Sequence, residues 1–94
     1  MKRFEKFAAA RYLDSEDAIA EFLSAALEDE NPQVFVAALG SVAKARGMAQ
    51  IAKDAGLGRE SLYKTLAPDS KLRYETVHKL LASLGLKLSA TASH

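Results

Sequence analysis

Between positions 59 and 64 the chain carries Arg59, Glu60, Ser61, Tyr63 and Lys64 around a single leucine, Leu62. At helical spacing Arg59, Glu60, Tyr63 and Lys64 fall on the face opposite that leucine. The chemistry these groups offer is recognition rather than bond making. Arginine reaches guanine O6 and N7 or a phosphate, and lysine a phosphate. Glu60 and Ser61 can meet base edges, although a carboxylate near DNA repels phosphate unless it accepts from cytosine. Tyr63 can lie against the sugar–phosphate backbone or a thymine methyl, and an aromatic at this spacing is as often half-buried packing. Gln50 and Lys53 upstream, and Lys71 and Arg73 downstream, are further candidates for backbone contacts. A plainer reading stays open, because Glu60 and Lys64 at i,i+4 also make an ordinary solvated pair.

Catalysis has no comparable candidate. The sequence shows no Ser/His/Asp set, no glycine-rich phosphate loop and no convergent acid pair. Cysteine is absent, which removes disulfides and thiolate chemistry and fits a reducing, cytoplasmic setting. His78 has no second histidine or carboxylate at metal-ligand spacing, and His94 is the terminal residue. Neither metal nor cofactor is expected.

The candidate residues need elements to hold them. Residues 48–55 read as a helix of barely two turns, residues 59–66 as another, with Gly56-Leu57-Gly58 between. Isolated helices shorter than about 12–15 residues are marginal in water, so these two must stand by packing. Ile51, Ala52 and Ala55 are expected against Leu62 and Leu66, with Leu57 filling the corner. Gly56 supplies the positive φ a sharp turn requires. That is a helix-turn-helix, which turns the outward face of its second helix toward a major groove.

The flanking punctuation predicts three more helices. Asp14 or Ser15 caps one that carries Ile19, Phe22, Leu23, Ala26 and Leu27 at helical spacing, with Glu16 and Asp17 in its first turn. Asn31-Pro32 restarts the chain into a helix striped by Phe35, Leu39 and Val42 and stopped at Gly47. Gly40 inside it suggests a backbone packed close by. Pro68 ends the recognition piece. Residues 74–84 then form an amphipathic helix with Val77, Leu80, Leu81 and Leu84 on one face, ended by Gly85. Residues 86–89 alternate apolar and polar and read as a short strand.

Charge is distributed in blocks. Residues 14–31 hold seven acids and no Lys or Arg, residues 1–13 carry a net +3 and residues 32–94 a net +5, within a total of +1. An acidic segment before a basic domain implies two partners of opposite charge, although solvated surfaces also show such blocks. The apolar run near the N-terminus is broken by Arg11, too short for a signal peptide or a membrane span.

Six stretches together resemble a known family: residues 47–52, residues 56–64, Arg73-Tyr74-Glu75-Thr76-Val77, Leu84-Gly85-Leu86-Lys87-Leu88, and, upstream, Tyr12-Leu13-Asp14-Ser15-Glu16 and Ala38-Leu39-Gly40. The chain looks like the probable addiction-module antidotes, HigA-like antitoxins of the lambda-repressor-like (Xre) class, over nearly its whole length. The resemblance implies an all-α, five-helix helix-turn-helix domain that dimerises, binds a RelE/ParE-like toxin and represses its own operon. Gly58 stands where the family usually has serine, Ala49 where Thr or Ser is common, and Ser70-Lys71-Leu72 where a Gly-Asn-Pro-like turn is usual. Each change removes a polar contact or alters a turn near the presumed DNA.

The expected organisation is a single domain, 1–94, with an N-terminal arm and acidic helix (1–31), a helix-turn-helix core (32–85) and a tail (86–94). Operator DNA with an inverted repeat would meet Gln50, Lys53, Arg59, Glu60, Ser61, Tyr63, Lys64, Lys71 and Arg73. A basic toxin would meet Phe4, Phe7, Tyr12, Glu16 and Glu21, since an RNA-cleaving toxin needs positive surface. A homodimer would use Val77, Leu81, Leu84, Leu86 and Leu88. Two other readings compete: a stand-alone prophage-type repressor without a toxin, and a helical protein-interaction module that never touches DNA.

Overall fold

Short caps set the helix boundaries. In the computed structural model, which describes residues 15–93, Ser15 has extended backbone and its Oγ accepts from the Ala18 amide at 3.1 Å. Ser15, rather than Asp14, therefore starts α1 (Glu16–Leu27), with Glu16 and Asp17 at the positive end of the helix dipole. Asn31 caps α2 (Pro32–Arg46) through Oδ1, which accepts from the Gln33 amide at 2.9 Å, while Pro32 occupies the first turn. Gly47, at φ 102°, closes α2 and opens α3 (Met48–Ala55) at once. Two further helices follow, α4 (Arg59–Thr65) and α5 (Tyr74–Ser83). Among the described residues the fold is all-α, with five helices and no strand.

The apolar stripes converge on one core: Ile19 and Leu23 of α1, Leu39, Val42 and Ala43 of α2, Ile51 and Ala52 of α3, Leu62 of α4, and Val77, Leu80 and Leu81 of α5. Leu84, just past α5, completes it. α1 packs on α2, α3 packs on α2, α4 and α5, and the backbones of α1 and α4 do not approach each other. The acidic helix and the candidate recognition helix therefore sit apart, joined only through the core.

Two expectations are corrected here. Residues 86–93 have no regular structure, so no strand forms in the tail. An isolated alternating segment has no neighbouring strand to pair with, and here its first amide, Leu86 N, bonds back to Leu81 O at 2.8 Å. Val77, Leu81 and Leu84, expected at a dimer surface, are 7%, 3% and 6% exposed. A chain this small needs every large aliphatic side chain of α5 for its own core and has none to spare. Leu86 is half-buried against that core, and Leu88 is exposed.

Candidate nucleic-acid interface

The corner between α3 and α4 is a Schellman-type termination. Gly56 adopts φ 72°, ψ 31°, its amide donates to Lys53 O at 3.2 Å, and the Leu57 amide donates to Ala52 O at 2.8 Å. This geometry folds Leu57 back, half-buried, against the core. Gly58 returns to extended backbone, and its carbonyl accepts from the Leu62 amide at 2.9 Å, launching α4. Gly58 offers no side-chain cap.

α4 has only seven residues, about 10 Å of helix, and is anchored by Leu62, whose exposure is 0%. That single inward side chain decides the rest. Arg59, Glu60, Ser61 and Lys64 are exposed, and Tyr63 keeps 48% of its surface in solvent. On α3, Gln50 and Lys53 are exposed, but the Gln50 carboxamide is engaged, its Nε2 donating to Asp54 Oδ1 at 2.8 Å. Lys71 and Arg73 are exposed in the connection from α4 to α5, and the Arg73 carbonyl accepts from the Thr76 and Val77 amides at 3.0 Å to start α5. All nine candidates for DNA contact thus present their side chains outward.

The connection that carries Lys71 and Arg73 is held from both sides. Gln33 Oε1 accepts from the Asp69 amide at 3.0 Å, and Gln33 Nε2 donates to the Ser70 carbonyl at 3.1 Å. The Ser70 hydroxyl donates to the Thr65 carbonyl in the last turn of α4. Asp69 adopts φ 67°, a left-handed conformation that aspartate tolerates better than most residues. Sequence reasoning missed Gln33. The signal was only a glutamine in the first turn of one helix and an Asp-Ser pair some three dozen residues later, and periodicity cannot join the two.

Of the residues expected to meet a toxin, Glu16 and Glu21 are exposed on α1, while Phe4, Phe7 and Tyr12 lie outside the described residues. The exposed acids of residues 15–31 are Glu16, Asp17, Glu21, Glu28, Asp29 and Glu30, and Leu27 lies among them, 49% exposed. His78 is exposed, its ring edge-on to Tyr74 with centroids 6.0 Å apart. Among the described residues no group of three His, Cys, Asp or Glu could hold a metal ion, and no helix is long and apolar enough to cross a membrane.

No solved structure matches the chain. An uncharacterized protein of Haemophilus influenzae (strain Rd) is 37% identical over 92 residues, which span 98% of this chain and 95% of the relative. A family model described as "Probable addiction module antidote protein" matches residues 3–92. With nearly its whole length matched, the chain belongs to the probable addiction module antidote protein family.

Proposed function

We propose that the chain is the antitoxin of a type II toxin–antitoxin module. It binds operator DNA through α3, α4 and the following connection, represses its own operon, and neutralises a RelE/ParE-like toxin in the cytoplasm without performing catalysis itself. The antidote family supports the antitoxin role and with it a toxin partner. The observation that carries the DNA reading is α4: one buried leucine holds a two-turn helix whose Arg59, Glu60, Ser61, Tyr63 and Lys64 all remain in solvent. A structural helix of a small domain buries a wider apolar stripe than that.

A helix of this length spans only about three base pairs, too few for specificity, so two copies reading half-sites about 34 Å apart form the functional unit. The acidic α1 suits a different partner. Its exposed carboxylates repel phosphate and attract a cationic protein surface, and its backbone keeps clear of α4. One protomer can then hold DNA and toxin on separate surfaces.

The test is fluorescence anisotropy with the DNA immediately upstream of the chain's own gene. Arg59→Ala combined with Lys64→Ala should weaken binding by about tenfold or more, and wild-type affinity should fall steeply from low to moderate salt. Salt-insensitive binding, or a double variant as tight as wild type, contradicts the assignment. The toxin arm is tested by co-expression with the neighbouring reading frame. Charge reversal at Glu16 and Glu21 should reduce co-purification while leaving DNA binding intact.

A further inference from the structure

We infer that Gln33, remote in sequence from α4, is a positioning residue for DNA binding: its carboxamide locks the exit of α4 to α2 and so sets where Lys71 and Arg73 meet the phosphate backbone. This deepens the DNA-binding reading above and rests on it.

The argument begins with how weakly α4 is otherwise held. Its backbone approaches α3 alone among the other helices, and it has a single buried side chain, Leu62. Its entry is fixed by the hydrogen-bonded corner at Gly56 and Leu57. Its exit runs into an eight-residue connection, residues 66–73, without helix or strand. Such a connection would place two cations loosely, and phosphate contacts contribute to register only when the cations are placed.

Gln33 supplies the missing constraint. Its amide is pinned by the Asn31 cap, which fixes the first turn of α2. The part-buried carboxamide then uses both ends on consecutive backbone groups of the connection, accepting from the Asp69 amide and donating to the Ser70 carbonyl. Ser70 in turn bonds the last turn of α4 through its hydroxyl, and its amide donates to Ala67 O at 3.1 Å. An unbroken hydrogen-bonded path therefore leads from the cap of α2 through Ser70, one residue before Lys71, to Thr65 at the end of α4. The left-handed conformation at Asp69 makes the clamp informative. A non-glycine residue holds such a conformation when its surroundings over-determine it, and here the surroundings are the two bonds from Gln33.

The experiment compares wild type, Gln33→Ala, Gln33→Glu and Ser70→Ala on operator and on unrelated duplex DNA across a salt series, well below each variant's thermal midpoint. Gln33→Glu keeps the acceptor for the Asp69 amide and loses the donor to the Ser70 carbonyl. The expected result for Gln33→Ala is about a tenfold loss of affinity on operator and a comparable loss on unrelated DNA, with a salt slope shallower by about one to two as Lys71 and Arg73 disengage from phosphate. Gln33→Glu should fall between wild type and Gln33→Ala. Ser70→Ala, which cuts the path on its α4 side, should reproduce the shallower slope. Unchanged affinity and slope in Gln33→Ala overturn the inference. So does a loss of affinity with an unchanged slope, which marks a purely structural role. Failure of the wild type to prefer its operator would instead overturn the DNA reading itself, and is seen without any variant.

Discussion

Replacing Gly56 by alanine tests the corner on which the interface depends. The residue sits at φ 72°, ψ 31°, where an L side chain costs about 1–2 kcal/mol. A Cβ added there meets nothing within 4 Å, so no clash adds to that cost. Alanine also restricts the unfolded chain, which offsets about 0.4–1 kcal/mol. The net expectation is a destabilisation of about 1 kcal/mol, or a midpoint lowered by about 4–8 °C for a domain of this size. Thermal unfolding followed by circular dichroism reads it directly, and chemical denaturation with an unchanged slope confirms that stability rather than compactness moved. Gly56→Asn should lose less, because asparagine visits the left-handed region more readily. A midpoint for Gly56→Ala at or above wild type would show that the corner does not use the left-handed turn, and the orientation of α4 argued from it would fall.

Two other glycines should respond in the opposite direction. Gly40 lies inside α2, and a Cβ there would meet Leu66 O at 3.8 Å and Leu66 Cβ at 4.0 Å, ordinary contact distances. Gly40→Ala should therefore stabilise by about 0.5–1 kcal/mol and raise the thermal midpoint; a fall would mean that α2 and the end of α4 pack closer than those distances. Gly58, at φ −71°, ψ 148°, is an N-cap without a side chain, and an added Cβ meets only Ser61 Cβ at 3.8 Å. Gly58→Ser should gain a few tenths of a kcal/mol by bonding the first-turn amides of α4, and tighten DNA binding slightly in the same anisotropy assay. A serine variant that melts lower or binds more weakly would argue that the amides at that end are already satisfied or needed bare.

What could be read from residue order alone was whatever depends on near neighbours. Asn31-Pro32, Gly47, Gly56 and Gly85 mark helix ends because capping and left-handed φ are properties of one to three residues, and the helices begin and stop there. The isolated Leu62 in a polar run announced a helix with one buried side and an open remainder for the same reason. Tertiary structure decided the matters that depend on competition for a shared core. The apolar residues in and just past α5 have the pattern of either a dimer face or a core face, and only the volume left by α1, α2 and α3 assigns Val77, Leu81 and Leu84 to the interior. The tail's alternation has the period of a strand, yet pairing needs a neighbour that no local pattern supplies. Gln33 lies furthest from local reading, since its partners Asp69 and Ser70 come within reach only after α2 and the exit of α4 have packed. Local chemistry thus wrote the corner and the exposed cations of this chain, whereas packing chose which apolar faces vanish and which distant carboxamide holds the exit of α4.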